Sequence, residues 1–261
     1  MITLRRNTER RHLQRDKQDI WLTFYPQESP GAVTDGFGLL VAFNEMWLPP
    51  GKVSALNSSK ETETVTFVYR GTLSQQDSAG NSGVVHAGEF QYMTVGSGIR
   101  HKETNPSPTD RAHVFRISLR PAEAGLDSAH EQIHFPVAQR HNLLCVIASP
   151  DGRKKSLKIL QDALIYSSIL DPGHHLVHEL LPGRSAWLHV ISGEAALQEI
   201  ILTQGDGVGV TIAPSVSVTA QESSEILLVD LGPAPRQFAG RAGNERPTKS
   251  TAHAPESARG Q

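Results

Sequence analysis

Cysteine is nearly absent: Cys145 is the single one in 261 residues. That excludes an intramolecular disulfide and any Cys-x-x-Cys zinc or redox motif, and Cys145, between Leu144 and Val146, reads as a small packing side chain. No apolar run approaches the ~20 residues that a membrane span needs. The first 20 residues carry Arg5, Arg6, Glu9, Arg10, Arg11, Arg15, Asp16, Lys17 and Asp19, which leaves no apolar stretch for a secretory signal. The chain is therefore expected to be cytoplasmic. Neither sign of charge prevails, with 25 basic against 27 acidic residues, so no large field draws it to nucleic acid or an anionic membrane, and neither is expected as a partner. A serine elbow, a phosphate loop and a Cys-His pairing are all missing.

What is present is strand punctuation. An apolar run from Phe37 to Phe43 leads to Pro49-Pro50-Gly51, a strand followed by a turn. Residues 63 to 70 alternate, with Val65, Phe67 and Tyr69 on one face and Thr64, Thr66 and Val68 on the other. A turn cluster at 75–82, a short strand Val84 to His86 ended by Gly88, and a strand from Val114 to Leu119 continue an all-β rhythm. Residues 121–140 are polar and read as a linker with one helical turn around 128–132. The second half then repeats the first: Leu170-Asp-Pro-Gly173 matches Leu48-Pro-Pro-Gly51, and Val190-Ile-Ser-Gly193 matches Val68-Tyr-Arg-Gly71, with an interval of 20 between the glycines in both copies. Two tandem barrels follow, an N-terminal one over 1–120 and a C-terminal one over 142–232, joined by a linker at 121–141. Hydrophobic content of 38% suffices for two cores, and ~150 residues per domain gives the same count. Residues 233–261 are rich in Pro, Ala, Gly, Arg and Ser, with five basic and two acidic residues, and are expected to be a solvated tail, or else a basic docking segment.

The stretch from Gly51 to Asn105 carries the chemistry. Its first half runs Gly51, Asn57, Ser59, Glu63, Gly71; its second runs Gly83, Gly88, Gly98, His101, Glu103, Asn105. Residues two apart on a strand share a face, so Asn57 pairs with Ser59 and His101 with Glu103. Glu63 has the parity of Asn57 and, without a bulge, projects inward with it as one more carboxylate. The spacing follows the two cupin motifs, except that a cupin has histidines where Asn57 and Ser59 stand. Three imidazoles and a carboxylate suit iron, nickel, copper or manganese; one imidazole with oxygen donors suits manganese, magnesium or weakly held zinc. Carried across by the offset of 122, positions 57 and 59 become Glu179 and Leu181, with His178 on the opposite parity, and 205–220 lacks histidine. The second barrel is therefore expected to hold no cupin metal. His174, His175, His178 and His189 read as surface and core residues, with an adventitious metal site as the alternative.

Glu63-Thr-Val-Thr-Phe67, Asp77-Ser-Ala-Gly-Asn81, Gln91-Tyr-Met-Thr94, Gly98-Ile-Arg-His101-Lys-Glu103 and Ile147-Ala-Ser-Pro-Asp-Gly152 strongly resemble the pirin family. The resemblance implies an all-β pair of double-stranded β-helix barrels whose N-terminal member holds a divalent metal, iron in the family, through His-x-His and His-x-Glu pairs. These map onto Asn57/Ser59 and His101/Glu103. It also implies either quercetin 2,3-dioxygenase activity or a regulatory role. With two ligands replaced, the chain is expected to be a metal-poor module binding a small molecule or a protein partner, and to be a monomer. A quercetin 2,3-dioxygenase-like oxidoreductase is the alternative.

Overall fold

Alternation gives every long strand two faces, and the pairing register shows where each face goes. The structure, a computed structural model, describes residues 1–25, 36–54, 62–78, 80, 82–94, 101–123 and 125–233. Glu63–Arg70 lies between Ala112–Leu119 and Glu89–Thr94, and Ala112–Leu119 pairs in turn with Leu40–Leu48. In the second half Ser185–Ser192 lies between Ser224–Leu231 and Gly207–Thr211, and Ser224–Leu231 pairs with Ala163–Leu170. The same four-strand order is thus embedded in each of two seven-stranded sheets, with a smaller sheet of three or four strands completing each barrel. The repeat extends to the turns. Gly71 and Gly193 have φ of +77° and +79°, and a side chain at either would press into the backbone of a neighbouring strand. Glycine is required there twice.

Each barrel takes its edge strand from outside its own repeat. Ile2–Arg5 pairs with Gly207–Thr211 of the second barrel, and Ala129–His134 pairs with Glu89–Thr94 at the matching edge of the first. The N-terminal boundary is corrected accordingly: the first strand belongs to the C-terminal barrel, and Asp206 fixes it there by accepting from the Arg6 guanidinium at 2.8 Å and the Asn7 backbone N–H at 2.7 Å. The linker is corrected too. It contains the Ala129–His134 strand, and its helical turn comes later, at Val137–Arg140. An exposed edge strand of sequence AHEQIH has no apolar face, so alternation could not reveal it. The strand placed at Phe37 to Phe43 begins at Leu40 and continues to Leu48. Residues 234–261, most of the expected tail, lie outside the described residues. Among those described, no helix is long and apolar enough to cross a membrane.

The outer faces of the two large sheets pack on each other. Phe43, Val65, Phe67 and Ile117 of the first meet Ile147, Trp187, Leu227 and Val229 of the second in one buried cluster. Phe43 stacks on His189 with ring centroids 4.1 Å apart. Half-buried Cys145 packs against the same cluster, and burial pushes its thiol pKa up. Glu63 lies on this face, which corrects the expectation that it projects into the first barrel. Its carboxylate accepts hydrogen bonds from the Tyr92 hydroxyl at 2.9 Å and from the backbone N–H groups of Leu160 and Gln161 at 2.7 and 3.2 Å. Nearby, buried Glu45 accepts from Arg10 at 2.6 Å and His113 at 2.8 Å. Burial pushes its carboxyl up, but His113 and Arg10 outweigh that and hold it at about 2.

Candidate functional site

The inner faces of the two large sheets differ in kind. Across the first sheet the register aligns Asn44, Arg116, Thr66, Gln91 and Gln132 in one row. The corresponding row of the second sheet reads Tyr166, Leu228, Leu188, Val208 and Leu4. One backbone plan therefore carries a polar row in the first barrel, beside an apolar cluster of Met46, Leu48, Val68 and Val114, and a largely aliphatic row in the second, where Leu170, Val190 and Ile226 join the same core. Buried polar groups are costly unless they are satisfied. The first barrel is where they have been retained.

The two strands Thr72–Asp77 and His101–Thr104 face that polar row. Asp77 is paired with His101 and Gln75 with Glu103, so these four side chains leave the small sheet on one side. A cavity of about 330 Å³ opens between Gln75, Asp77, His101 and His130. His101 and Glu103 thus stand on one face, as their spacing requires. Glu103, however, is 5% exposed and ion-paired with Arg116, which rises from the large sheet. Asn57 and Ser59 lie outside the described residues, and Glu63 faces the other barrel. Among the described residues, no three His, Cys, Asp or Glu side chains converge as a metal site.

Sequence reasoning missed Gln75, Gln91, Arg116 and His130. For Gln91 and Arg116 the one signal is polarity at inward parity in otherwise apolar strands, in a row with Thr66, whereas Gln75 and His130 lie on polar strands that give none. The amide nitrogens of Gln75 and Gln91 lie 2.5 and 2.8 Å from His130 Nε2. Burial holds the His130 pKa below the usual imidazole range; His101 pushes it the same way, and Asp77 opposes. A neutral His130 with Nε2 unprotonated has one lone pair there, which the two amide N–H groups share. That arrangement leaves Gln75 Oε1, Gln91 Oε1 and His101 Nε2 buried without a partner among the described residues. Each such orphan costs about 1–3 kcal/mol. Two of them, on Gln75 and His101, line the cavity, and Gln91 stands behind it against His130; the two lining atoms suit a ligand with O–H or N–H donors.

The same residues can be tested against a transition metal. A redox centre of this fold needs several imidazole or carboxylate donors free to bind. This chain presents His101 and a Glu103 whose charge Arg116 already neutralises. Recruiting Glu103 to a metal would break its buried ion pair with Arg116, which is costly in a water-poor interior. Among the described residues, that donor set does not fit such a centre.

Comparisons with known proteins agree with the barrel plan. Residues 44–118 match the family model described as Pirin, and residues 146–231 match one described as the quercetinase C-terminal cupin domain. The chain is 36% identical over 233 residues to the quercetin 2,3-dioxygenase of Escherichia coli (strain K12), spanning 89% of this chain and 100% of that protein. The crystal structure of YhhW from Escherichia coli superposes with a TM-score of 0.82 at 35% identity, covering 89% of this chain and 98% of that one. A structure of the same bacterial pirin in complex with nickel(II) gives a TM-score of 0.80 at 33% identity, covering 89% of this chain and 100% of that one. At family level these relatives imply a divalent metal. With both barrels matched and their register repeated, the chain belongs to the pirin family.

Proposed function

We propose that the N-terminal barrel binds a hydroxyl-rich small molecule directly, without a catalytic metal. The observation that carries this reading is the buried Glu103–Arg116 ion pair, which occupies the carboxylate a metal would need. Around it, Gln75 Oε1, Gln91 Oε1 and His101 Nε2 are acceptors awaiting donors. Relatives named for quercetin make a flavonol the first ligand to try. Titrating quercetin in the presence of a strong chelator should give saturable binding, weakened about tenfold, or ~1.4 kcal/mol, in His101→Gln and His130→Gln variants. Dioxygen should not be consumed. Binding that vanishes on chelation would overturn the proposal.

A second reading, a metal-dependent dioxygenase like its named relatives, draws on the orphaned His101 Nε2 and the nickel(II) of a related structure. It requires quercetin ring cleavage that is abolished in His101→Ala and in Glu103→Ala. No cleavage in the parent protein after metal loading, or full activity in both variants, would sink it.

A further inference from the structure

The inner rows of the second barrel contain one carboxylate. Asp230 shares its row with Leu164, Ala186 and Val210 and is 3% exposed. A charge so placed must be compensated, and Arg184 does so, its Nε 2.6 Å from Oδ1, while Asp162 holds the same guanidinium at 2.7 Å. His178 adds a second contact, Nε2 to Oδ2 at 2.8 Å. With the charge already met by Arg184, that contact chiefly orients the ring: Nε2–H donates to the Asp230 carboxylate, which leaves Nδ1 of the neutral ring as a hydrogen-bond acceptor. His178 makes no other hydrogen bond among the described residues.

The oriented imidazole stands in the wall of a cavity of about 280 Å³, shared with Tyr166, Leu164, Leu181 and Glu179. Tyr166 lies 4.8 Å from the His178 ring; burial pushes its hydroxyl pKa up and Asp230 adds to the shift, so it stays protonated and able to donate. Glu179 and Leu181 are the positions that the 122-residue offset matches to Asn57 and Ser59. The cavity's volume is at the low end for ligand pockets. Apolar surface continues outward from it: Leu181 is 70% exposed and also lines a groove with Ile212, which is 89% exposed.

We propose that this cavity is a second ligand site, for a small phenol or enol whose hydroxyl donates to His178 Nδ1 while its ring rests on Leu164, Leu181 and Tyr166. A phenolic or enolic hydroxyl is a good donor to the oriented nitrogen, Leu164, Tyr166 and Leu181 offer contact to a ring while Arg153 and Glu179 add polar wall, and the exposed Leu181–Ile212 surface leaves room for a substituent. The site is independent of any ligand in the first barrel.

The probe is 4-nitrophenol, whose visible absorbance reports its ionisation, titrated into the full chain. His178→Gln keeps an N–H donor for Asp230 but removes the basic nitrogen. Leu181→Asp alters an exposed wall residue without touching the core and replaces apolar contact to the ring by a carboxylate. The proposal expects saturable binding, read as a shift of the probe's absorbance, and an affinity at least about tenfold lower in both variants. Unchanged affinity in both variants, or no saturable binding by the parent protein, would overturn it.

Discussion

Replacing Arg116 by methionine tests the buried ion pair directly. Arg116 and Glu103 are 4% and 5% exposed, so the substitution leaves a carboxylate without a counter-charge in a water-poor interior. Removing one partner of such a pair costs about 3–5 kcal/mol. At ~2–4 °C per kcal/mol for a chain of this size class, the melting temperature should fall by ~10 °C at pH 8. The unpaired carboxyl relieves itself by protonation as its pKa rises, so the penalty should shrink at pH 5. Arg116→Met combined with Glu103→Gln should recover much of the loss, because no charge is then stranded. Urea unfolding of the parent, both single variants and the double variant at the two pH values reads all of this. A loss under about 1 kcal/mol in Arg116→Met, or a double variant as unstable as the sum of the singles, would refute the reasoning.

Glu63→Gln should destabilise the chain by about 1–3 kcal/mol in urea unfolding, since Oε2 accepts from Tyr92, Leu160 and Gln161 while Oε1 accepts from the Ala122 N–H, and an amide must set its NH2 against one of these donor groups; no measurable change would contradict its role between the barrels. Removing residues 2–6 uncovers the Gly207–Thr211 edge and should lower stability and promote self-association by light scattering. Buried His189 is held well below its usual 6.5, first by burial and then by Arg10. Only the unfolded chain takes up that proton, so stability should fall as pH drops below about 6.5, by ~1.4 kcal/mol per unit for one proton, and His189→Leu should flatten that slope. Glu45 adds a separate loss at lower pH: its folded pKa is depressed from 4.5 to about 2, so its stabilisation is full above about 4.5 and fades as pH falls towards 2. Glu45→Gln should remove that acid limb.

The barrels were legible because strand alternation and the paired glycines are local features that the pleat and the turns impose. His101 and Glu103 were legible for the same reason, since two residues of one strand fix their own common face. What local pattern could not give was which way a strand faces across a gap. Glu63 was counted inward by parity from Asn57, yet the observed row places it against Leu160 in the other barrel. Nor could it give partners far apart in sequence: Arg116 reaches Glu103, and His130 reaches Gln75 and Gln91, only once three strands are assembled. The strand that brings His130 to the cavity has no apolar face to announce it.

The proposed function makes the first barrel a ligand cavity in which the Glu103–Arg116 pair stands in place of metal chemistry. The measurement that tests it most directly is elemental analysis of protein prepared without an affinity tag, before and after incubation with iron, manganese, nickel and zinc salts and removal of the excess. The account predicts far less than one metal per chain in every case, with no change in His101→Ala and no shift of melting temperature on chelation. About one retained metal per chain, lost in His101→Ala, would contradict it.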